Sequence, residues 1–289
     1  MRKKIVIWLI LIALAALFVL TKKEVFIQAF SNDTPAMSFP EELGKGCLGL
    51  NYHRVQNDSL LVKSARSIMQ SKELVQYSVL ESELQQQIHA LKKEGAMFLS
   101  EDQLLKAKAE NDFPDKCVWV SFDDIDRSVY ENAFPILKQE KIPFTLFVIA
   151  GHVGEKDFSN LDMTTWDELR EMKQSGLADF GSHTYDMHRF EDETPVFLLP
   201  EQAEKFKKDL KKSRDTIEAE LGVKVRSFAY PYGNANELVT DLVQEQGFEA
   251  GYILAPQVIR PIDDNFLLNR IIVNQTTFDD VLLPYIEEN

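Results

Sequence analysis

Apolar and polar residues follow one another along this chain in two kinds of block. Short apolar runs without alternation are typical of strands buried on both faces. Longer blocks with apolar residues three or four positions apart are typical of amphipathic helices. The predicted strands are residues 47–53, 118–122, 144–149, 178–184, 225–230, 248–254 and 267–273. The predicted helices are residues 81–94, 101–109, 129–139, 165–175, 201–221 and 237–246.

Strands that alternate with helices at this spacing predict parallel βα units. Seven or eight such units would close as a barrel, and an open sheet is the alternative. In both architectures functional side chains gather at the carboxyl ends of the strands. The residues that follow predicted strands are His53, Asp123, Asp124, His152, His183 and the run Tyr230-Pro231-Tyr232-Gly233.

The N-terminus has the pattern of an export signal. Arg2, Lys3 and Lys4 precede an uncharged apolar run from Ile5 to Leu20. No clean small-residue cleavage site follows the run, which favours an uncleaved anchor over a cleaved signal. The predicted organisation is a signal or anchor segment at 1–23, a tether at 24–45 and a folded domain at 46–289.

Residues 55–78 mix apolar residues such as Leu60 and Leu61 with the basic residues Lys63, Arg66 and Lys72. Two readings stay open for this segment. Near an N-terminal anchor it could rest on a membrane surface. Alternatively, it is a loop with a helical turn that packs on the domain.

The overall charge and the cysteine content argue against two classes of function, nucleic-acid binding and zinc binding by cysteines. A formal net charge of −14 argues against nucleic acid as a partner, since phosphate binding needs a basic surface. Two cysteines, Cys47 and Cys117, are too few for a cysteine-based zinc site. If their strands are neighbours in register, a disulfide can form, although the favoured reading is two reduced, buried thiols.

Two stretches of the sequence contain the candidate metal-binding and catalytic residues. Asp123 and Asp124 end an apolar strand, where adjacent carboxylates resist desolvation unless a cation or hydrogen bonds hold them. His183 and His188 leave another strand and can face one ion. A His-His-Asp set with open positions suits a catalytic divalent metal, namely zinc, cobalt, nickel or iron.

At these motifs the chain resembles the polysaccharide deacetylase family, the NodB-homology group of carbohydrate esterase family 4. The resemblance lies in Ser-Phe-Asp-Asp at 121–124, Ser-His-Thr-x-x-x-His at 182–188 and Tyr-Pro-Tyr-Gly at 230–233. Asn-Tyr-His-Arg at 51–54 is similar to the subgroup that acts on poly-β-1,6-N-acetylglucosamine. The resemblance implies a (β/α)7 barrel, a distorted relative of the TIM barrel.

The resemblance also implies roles for individual residues. Asp124, His183 and His188 correspond to the metal ligands, and Asp123 to the general base that takes a proton from the attacking water. His53 corresponds to the catalytic histidine, which acts as general acid or stabilises the charge of the transition state. The backbone N–H of Tyr232, between Pro231 and Gly233, is the candidate oxyanion donor. Many relatives have an arginine where this chain has Ala229, and Arg270 is the candidate replacement. His152 matches no ligand motif and is interpreted as supporting structure.

The implied function is metal-dependent removal of acetyl groups from N-acetylglucosamine units of an extracellular polysaccharide in biofilm formation. Peptidoglycan or chitin-like β-1,4 polymers are the alternative substrates. A non-catalytic surface protein that binds polysaccharide is the alternative from another class. The implied location is the cell surface or the medium.

Overall fold

The structure is a computed structural model that describes residues 39–40, 42–69 and 75–289. The predicted signal or anchor at 1–23, and the tether up to residue 38, lie outside the described residues. Residues 39–289 form one compact unit. Within the described part of the chain, every helix is too short or too polar to cross a membrane.

The described residues contain twelve strands, and most of them follow the apolar runs of the sequence. They are β1 (Leu48–Tyr52), β2 (Arg54–Gln56), β3 (Ser78–Leu80), β4 (Met97–Leu99), β5 (Cys117–Phe122), β6 (Phe144–Val148), β7 (Ala178–Ser182), β8 (Phe190–Glu191), β9 (Thr194–Pro195), β10 (Ser227–Ala229), β11 (Ala250–Leu254) and β12 (Leu268–Ile272).

Seven of these strands close into a parallel barrel in the order β1-β12-β11-β10-β7-β6-β5. Closure comes from the parallel pairing of β5 with β1, in which Leu50 lies opposite Val120. Strand β4 extends the sheet beside the first half of β5. The structure therefore confirms the predicted (β/α)7 barrel and excludes the open sheet.

The principal helices cover the outside of the barrel. They are α1 (Leu60–Met69), α2 (Glu81–Lys93), α3 (Glu101–Glu110), α4 (Phe134–Glu140), α5 (Trp166–Gln174), α6 (Ala203–Leu221) and α7 (Glu237–Glu245), followed by a last helical run over Gln275–Thr277, Phe278–Leu282 and Leu283–Glu288. Sequence signals fix several ends. Thr165 caps α5 through the amide of Glu168, and Gly222 ends α6 in the left-handed conformation.

The interior of the barrel is aromatic. The Trp119 ring stacks on Tyr252 at 4.5 Å and meets Phe147 edge-on at 6.2 Å. The Trp119 Nε1–H donates to Thr145 Oγ1, so its polar atom is satisfied in the core. Because the interior is filled by side chains, a catalytic site is expected at the carboxyl ends of the strands.

The structure corrects the favoured reading of the cysteines. Cys47 and Cys117 are joined in a disulfide, with Cα atoms 4.6 Å apart. The reason is the register of β1 against β5, which sets Leu48 opposite Val118 and so brings the preceding residues side by side.

The segment 55–78 contains more regular structure than a loop with one turn. It holds the ten-residue helix α1, and β2 and β3 pair with each other at its borders. These strands have three residues each, too few to show a period in the sequence.

Candidate active site

The two adjacent aspartates separate because the backbone turns sharply after β5. The Asp123 N–H still donates to the Tyr52 carbonyl of β1, at 3.0 Å. Asp124 and Ile125 then adopt left-handed conformations, with φ of 64° and 65°. Asp123 faces Arg270 inside the barrel, whereas Asp124 faces the two histidines.

Three potential metal ligands converge at the carboxyl ends of β5 and β7. One ligand atom from each of Asp124, His183 and His188 lies within 4.8 Å of the other two. We call these three residues the candidate metal centre. His183 follows β7 directly, and its Nδ1–H donates to the Ala229 carbonyl at 2.7 Å. That bond leaves the Nε2 lone pair of His183 free to bind a cation.

The chemistry of these donors fits a divalent ion. The Asp124 Oδ1 atom is buried and accepts no hydrogen bond from the described residues. The Nε2 atoms of His183 and His188 lie 3.4 and 3.3 Å from it. A buried carboxylate oxygen that faces two imidazole nitrogens and lacks a hydrogen bond matches the environment of a cation ligand.

Helix α6 holds the loop between the two histidines. Asp209 is 9% exposed, and its two carboxylate oxygens accept the backbone N–H groups of Tyr185 and Asp186 at 2.7 and 2.8 Å. Ser213, one turn later, donates to the carbonyl of Thr184 at 3.1 Å. The loop that spaces the histidines is therefore fixed by side chains that no sequence motif had indicated.

Arg270 holds Asp123, as the sequence analysis suggested. Its Nη1 donates to Asp123 Oδ1 at 2.6 Å, and its Nη2 donates to Oδ2 at 2.8 Å. The guanidinium also donates to Ser121 Oγ at 3.1 Å. Both side chains of the pair are almost wholly buried. This two-point contact supplies from β12 the positive charge that the alanine at 229 cannot provide.

The two aspartates and the two histidines of this site all have shifted pKa values, and Arg270 contributes to the shift of Asp123. Burial alone would raise the pKa of Asp123, but Arg270 and His183 outweigh it, and the pKa falls below its usual value. Burial would also raise the pKa of Asp124, but its interactions with His188 and His183 outweigh burial. The pKa of Asp124 therefore lies far below its usual value. Burial lowers the pKa of His188 to about 4. For His183 burial is outweighed by the two carboxylates, which raise its pKa. Ionised carboxylates and a neutral His188 are the forms that bind a metal ion.

His53 lies at the end of β1, beside this set. Its ring packs edge-on against Tyr77 at 5.1 Å, and its buried Nδ1 has no hydrogen-bond partner among the described residues. Burial lowers the pKa of His53, although Asp124 and Asp123 oppose the shift. His53 therefore interacts electrostatically with both aspartates, and its predicted catalytic role stays a prediction.

The run from Tyr230 to Gly233 forms a tight turn after β10. Tyr232 has a φ of 59°, and its ring lies 4.6 Å from the ring of His188. Gly233 has a φ of 71°, and a Cβ there would meet Leu254 Cβ at 2.4 Å. Glycine is thus required at 233 both by the positive φ and by the close approach of Leu254. The role predicted for the Tyr232 N–H stays a prediction.

The remaining histidines lie outside the candidate metal centre. His152 contacts Glu155 Oε2 at 2.6 Å and Asp186 Oδ1 at 2.8 Å, so it braces the same loop from the other side. This agrees with its interpretation as supporting structure. His89 lies on α2 and contacts Glu140 at the surface.

Comparison with known protein families and structures agrees with this geometry. The family model described as polysaccharide deacetylase matches residues 110–251. A poly-beta-1,6-N-acetyl-D-glucosamine N-deacetylase of Staphylococcus aureus is 37% identical over 235 residues, covering 81% of this chain and 81% of that protein. A protein of the same name from Staphylococcus epidermidis is 36% identical over the same shares of both chains.

Solved structures show the same fold. The structure of IcaB from Ammonifex degensii superposes with a TM-score of 0.74 at 34% identity, covering 84% of this chain and 98% of that one. The Streptococcus pyogenes deacetylase PplD has a TM-score of 0.68 at 24% identity, and covers 84% and 99% of the two chains. At that lower identity the likeness concerns the fold alone.

Proposed function

The chain belongs to the polysaccharide deacetylase family, and from this premise we propose that it de-N-acetylates poly-β-1,6-N-acetylglucosamine outside the cell. The substrate is supported by the names of the Staphylococcus relatives. The observation that carries the proposal is the convergence of Asp124, His183 and His188 beside an aspartate held by Arg270.

A single divalent cation fits the candidate metal centre, with zinc the first choice and cobalt, nickel or iron as alternatives. Three protein donors leave coordination positions open, as catalytic sites require. When bound, such an ion polarises the amide carbonyl and lowers the pKa of water.

The protein side chains would then move the protons. Asp123 accepts a proton from the attacking water, whose oxygen adds to the acetamide carbon. The buried Arg270 keeps Asp123 ionised and oriented for this step. The backbone N–H of Tyr232, in the turn with Pro231 and Gly233, donates to the oxygen that becomes negative. The departing nitrogen takes up a proton as the C–N bond breaks, leaving acetate and a free amine. His53 either donates this proton as general acid, or stabilises the charge of the transition state while the proton held by Asp123 passes to the nitrogen.

Acetate release from poly-β-1,6-N-acetylglucosamine, with and without chelator, tests this function. We expect Asp123→Asn and His183→Ala to lose nearly all activity. Asp167→Asn and His89→Ala are matched controls, because Asp167 has a 94% exposed side chain and His89 lies on the surface of α2. Full activity in Asp123→Asn, or in protein stripped of metal, would refute the mechanism.

The same preparation decides between substrates. We expect β-1,6-linked oligomers to be deacetylated faster than β-1,4-linked ones, and faster turnover of the β-1,4 chains would move the assignment to peptidoglycan or chitin-like polymers. Oligomer binding without acetate release by metal-loaded protein would favour the non-catalytic binding protein. Elemental analysis of the purified protein identifies the native metal.

We further propose that the chain works at the outer cell surface, held by the N-terminal segment or secreted. The disulfide between Cys47 and Cys117 is typical of proteins exported to an oxidising environment. Helix α1 would contact the membrane surface, because the adjacent Leu60 and Leu61 are each 83% exposed.

Cell fractionation and vesicle binding test the location. We expect the protein on the cell surface or in the medium, and a cytoplasmic pool would contradict export. Replacing Leu60 and Leu61 with serine should weaken binding to anionic lipid vesicles without changing the melting temperature. Ile262→Ser is the control, because Ile262 is 86% exposed and lies outside α1. Unchanged vesicle binding in the serine variant would remove the membrane contact.

A further inference from the structure

Asn51 carries a buried side-chain amide that has no hydrogen-bond partner among the described residues. It lies in β1 without any exposed surface, and both its Oδ1 and its Nδ2 atoms are unpartnered. Its backbone carbonyl, in contrast, accepts the Val273 N–H at 2.9 Å. An unpartnered polar group in a core destabilises the fold, so the presence of an asparagine here calls for an explanation.

The side chain of Asn51 points into the barrel. The neighbouring Tyr52 points outward, because its hydroxyl donates to a glutamine side chain of α2 at 3.0 Å. Successive side chains of a strand point to opposite faces, so Asn51 and His53 share the inner face of β1. Gly49 lies on the same face, and a Cβ there would be 3.4 Å from Arg270 Cγ. The inner face of β1 therefore packs against the Arg270 side chain.

The strand register places Asn51 level with the Arg270 guanidinium. Asn51 lies opposite Ser121 of β5, and Ser121 Oγ accepts from Arg270 Nη1 at 3.1 Å. Two further polar atoms of this region, Arg270 Nε and His53 Nδ1, are buried and unpartnered in the described part of the chain. The first is a donor, the second can accept, and the amide offers both kinds of group. Such a set matches the surroundings of a buried ordered water, which typically makes about three hydrogen bonds.

We propose that Asn51 is a positioning residue for His53 and acts through one ordered water bound by Asn51, Arg270 and His53, an inference that rests on the proposed function. The water accepts the Arg270 Nε–H, donates to His53 Nδ1 and is held by the amide. Arg270 is fixed by its two-point contact with Asp123, so it anchors the water. The hydrogen bond at Nδ1 orients the imidazole and keeps the proton of the neutral ring on Nε2. His53 therefore presents Nε2–H to the substrate.

Two variants that differ by one hydroxyl test the positioning role. Asn51→Ala removes the amide, whereas Asn51→Ser has nearly the same size and keeps a group that can hold water. With a β-1,6-linked N-acetylglucosamine pentamer, we expect kcat to fall by about 10- to 100-fold in Asn51→Ala with KM unchanged, because a misoriented catalytic group slows the chemical step and not binding. Asn51→Ser should retain most of the wild-type kcat. Equal losses in the two variants would overturn the proposal, since lost volume would then explain both.

A kinetic double-mutant cycle shows whether Asn51 acts through His53. His53→Ala removes the group that is positioned, so adding Asn51→Ala to it should cause no further loss of kcat. Multiplied losses in the double variant would overturn the proposal. If Asn51→Ala fails to fold, Asn51→Leu replaces it in the cycle, because leucine fills the space with apolar atoms. That variant should keep the wild-type melting temperature and still lose kcat.

A measurement without substrate separates this proposal from the proposed function. In full-length protein labelled with 15N-histidine, NMR shows which ring nitrogen carries the proton, and comparison with His53→Ala identifies the His53 signals. At about pH 8 the ring is neutral, because burial lowers its pKa. We expect the Nε2–H form in wild type and both tautomers in Asn51→Ala, and a mixture in wild type would overturn the proposal. Wild-type protein that shows the Nε2–H form but releases no acetate would refute the proposed function alone.

Discussion

The pair formed by Arg270 and Asp123 supports the sharpest prediction, because it is buried and its geometry is complete. In Arg270→Met the side chain is unbranched and apolar, and it loses the charged guanidinium. Asp123 would then be an ionised carboxylate without its two donors, at 2% exposure. Removing one partner from a buried pair costs about 3–5 kcal/mol. In a domain of this size that loss lowers the melting temperature by roughly 6–20 °C.

The variant should lose activity as well as stability. In the proposed mechanism Asp123 is then no longer held beside the attacking water, and a misplaced catalytic group costs on the order of 10²-fold in rate. Arg270→Lys retains the charge but makes only a single-point contact, so it should fall between wild type and Arg270→Met. Chemical denaturation and acetate release measure the two effects on the same preparation.

A double-mutant cycle isolates the charge pair. Asp123→Asn leaves Arg270 without its carboxylate, so each single variant contains one uncompensated buried charge. The double variant contains none, and we expect it to be more stable than either single variant. Arg226→Met is the control, since Arg226 pairs with Asp102 at the surface and its loss should cost less than about 1 kcal/mol. Additive losses in the cycle would refute the reasoning.

Three further predictions follow from the structure. Reduction of the disulfide between Cys47 and Cys117, which are 70 residues apart, should lower the free energy of unfolding by about 4 kcal/mol in urea titrations, and the double alanine variant should not respond to reductant. Burial raises the pKa of Glu101 from 4.5 to about 7. Because the folded pKa lies above the unfolded one, its contribution is fully present below about pH 4.5 and is lost as the pH rises through 7. Glu101→Gln should therefore be more stable than wild type at pH 8 by about 3 kcal/mol and equal to it at pH 4, and a constant difference between the two pH values would contradict this assignment. Asp209→Ala should weaken zinc binding by about 10- to 100-fold in calorimetry, because the histidine loop loses two hydrogen bonds, while Asp215→Ala on the exposed face of α6 should not.

The sequence predicted the alternating strands and helices because their signals are local, whereas the closed barrel was implied by the resemblance to the polysaccharide deacetylase family. Each long strand is an apolar run, and each helix between them has a capping residue or a stop signal that depends only on neighbours in the chain. The sequence did not predict β2, β3, β4 or the β8–β9 hairpin, since strands of two or three residues are too short to show a hydrophobic period.

By itself, the sequence determined which residue types stand at the strand ends: the aspartates at 123 and 124 and the histidines at 53, 183 and 188. The tertiary structure alone decided which of those ends meet and what holds them. Pairing of β1 with β5 in register joins Cys47 to Cys117, against the favoured reading of two free thiols. Barrel closure brings Arg270 to Asp123, and the packing of α6 brings Asp209 to the histidine loop. These contacts join residues far apart in the chain, and their strength depends on burial and direction, which no local pattern contains.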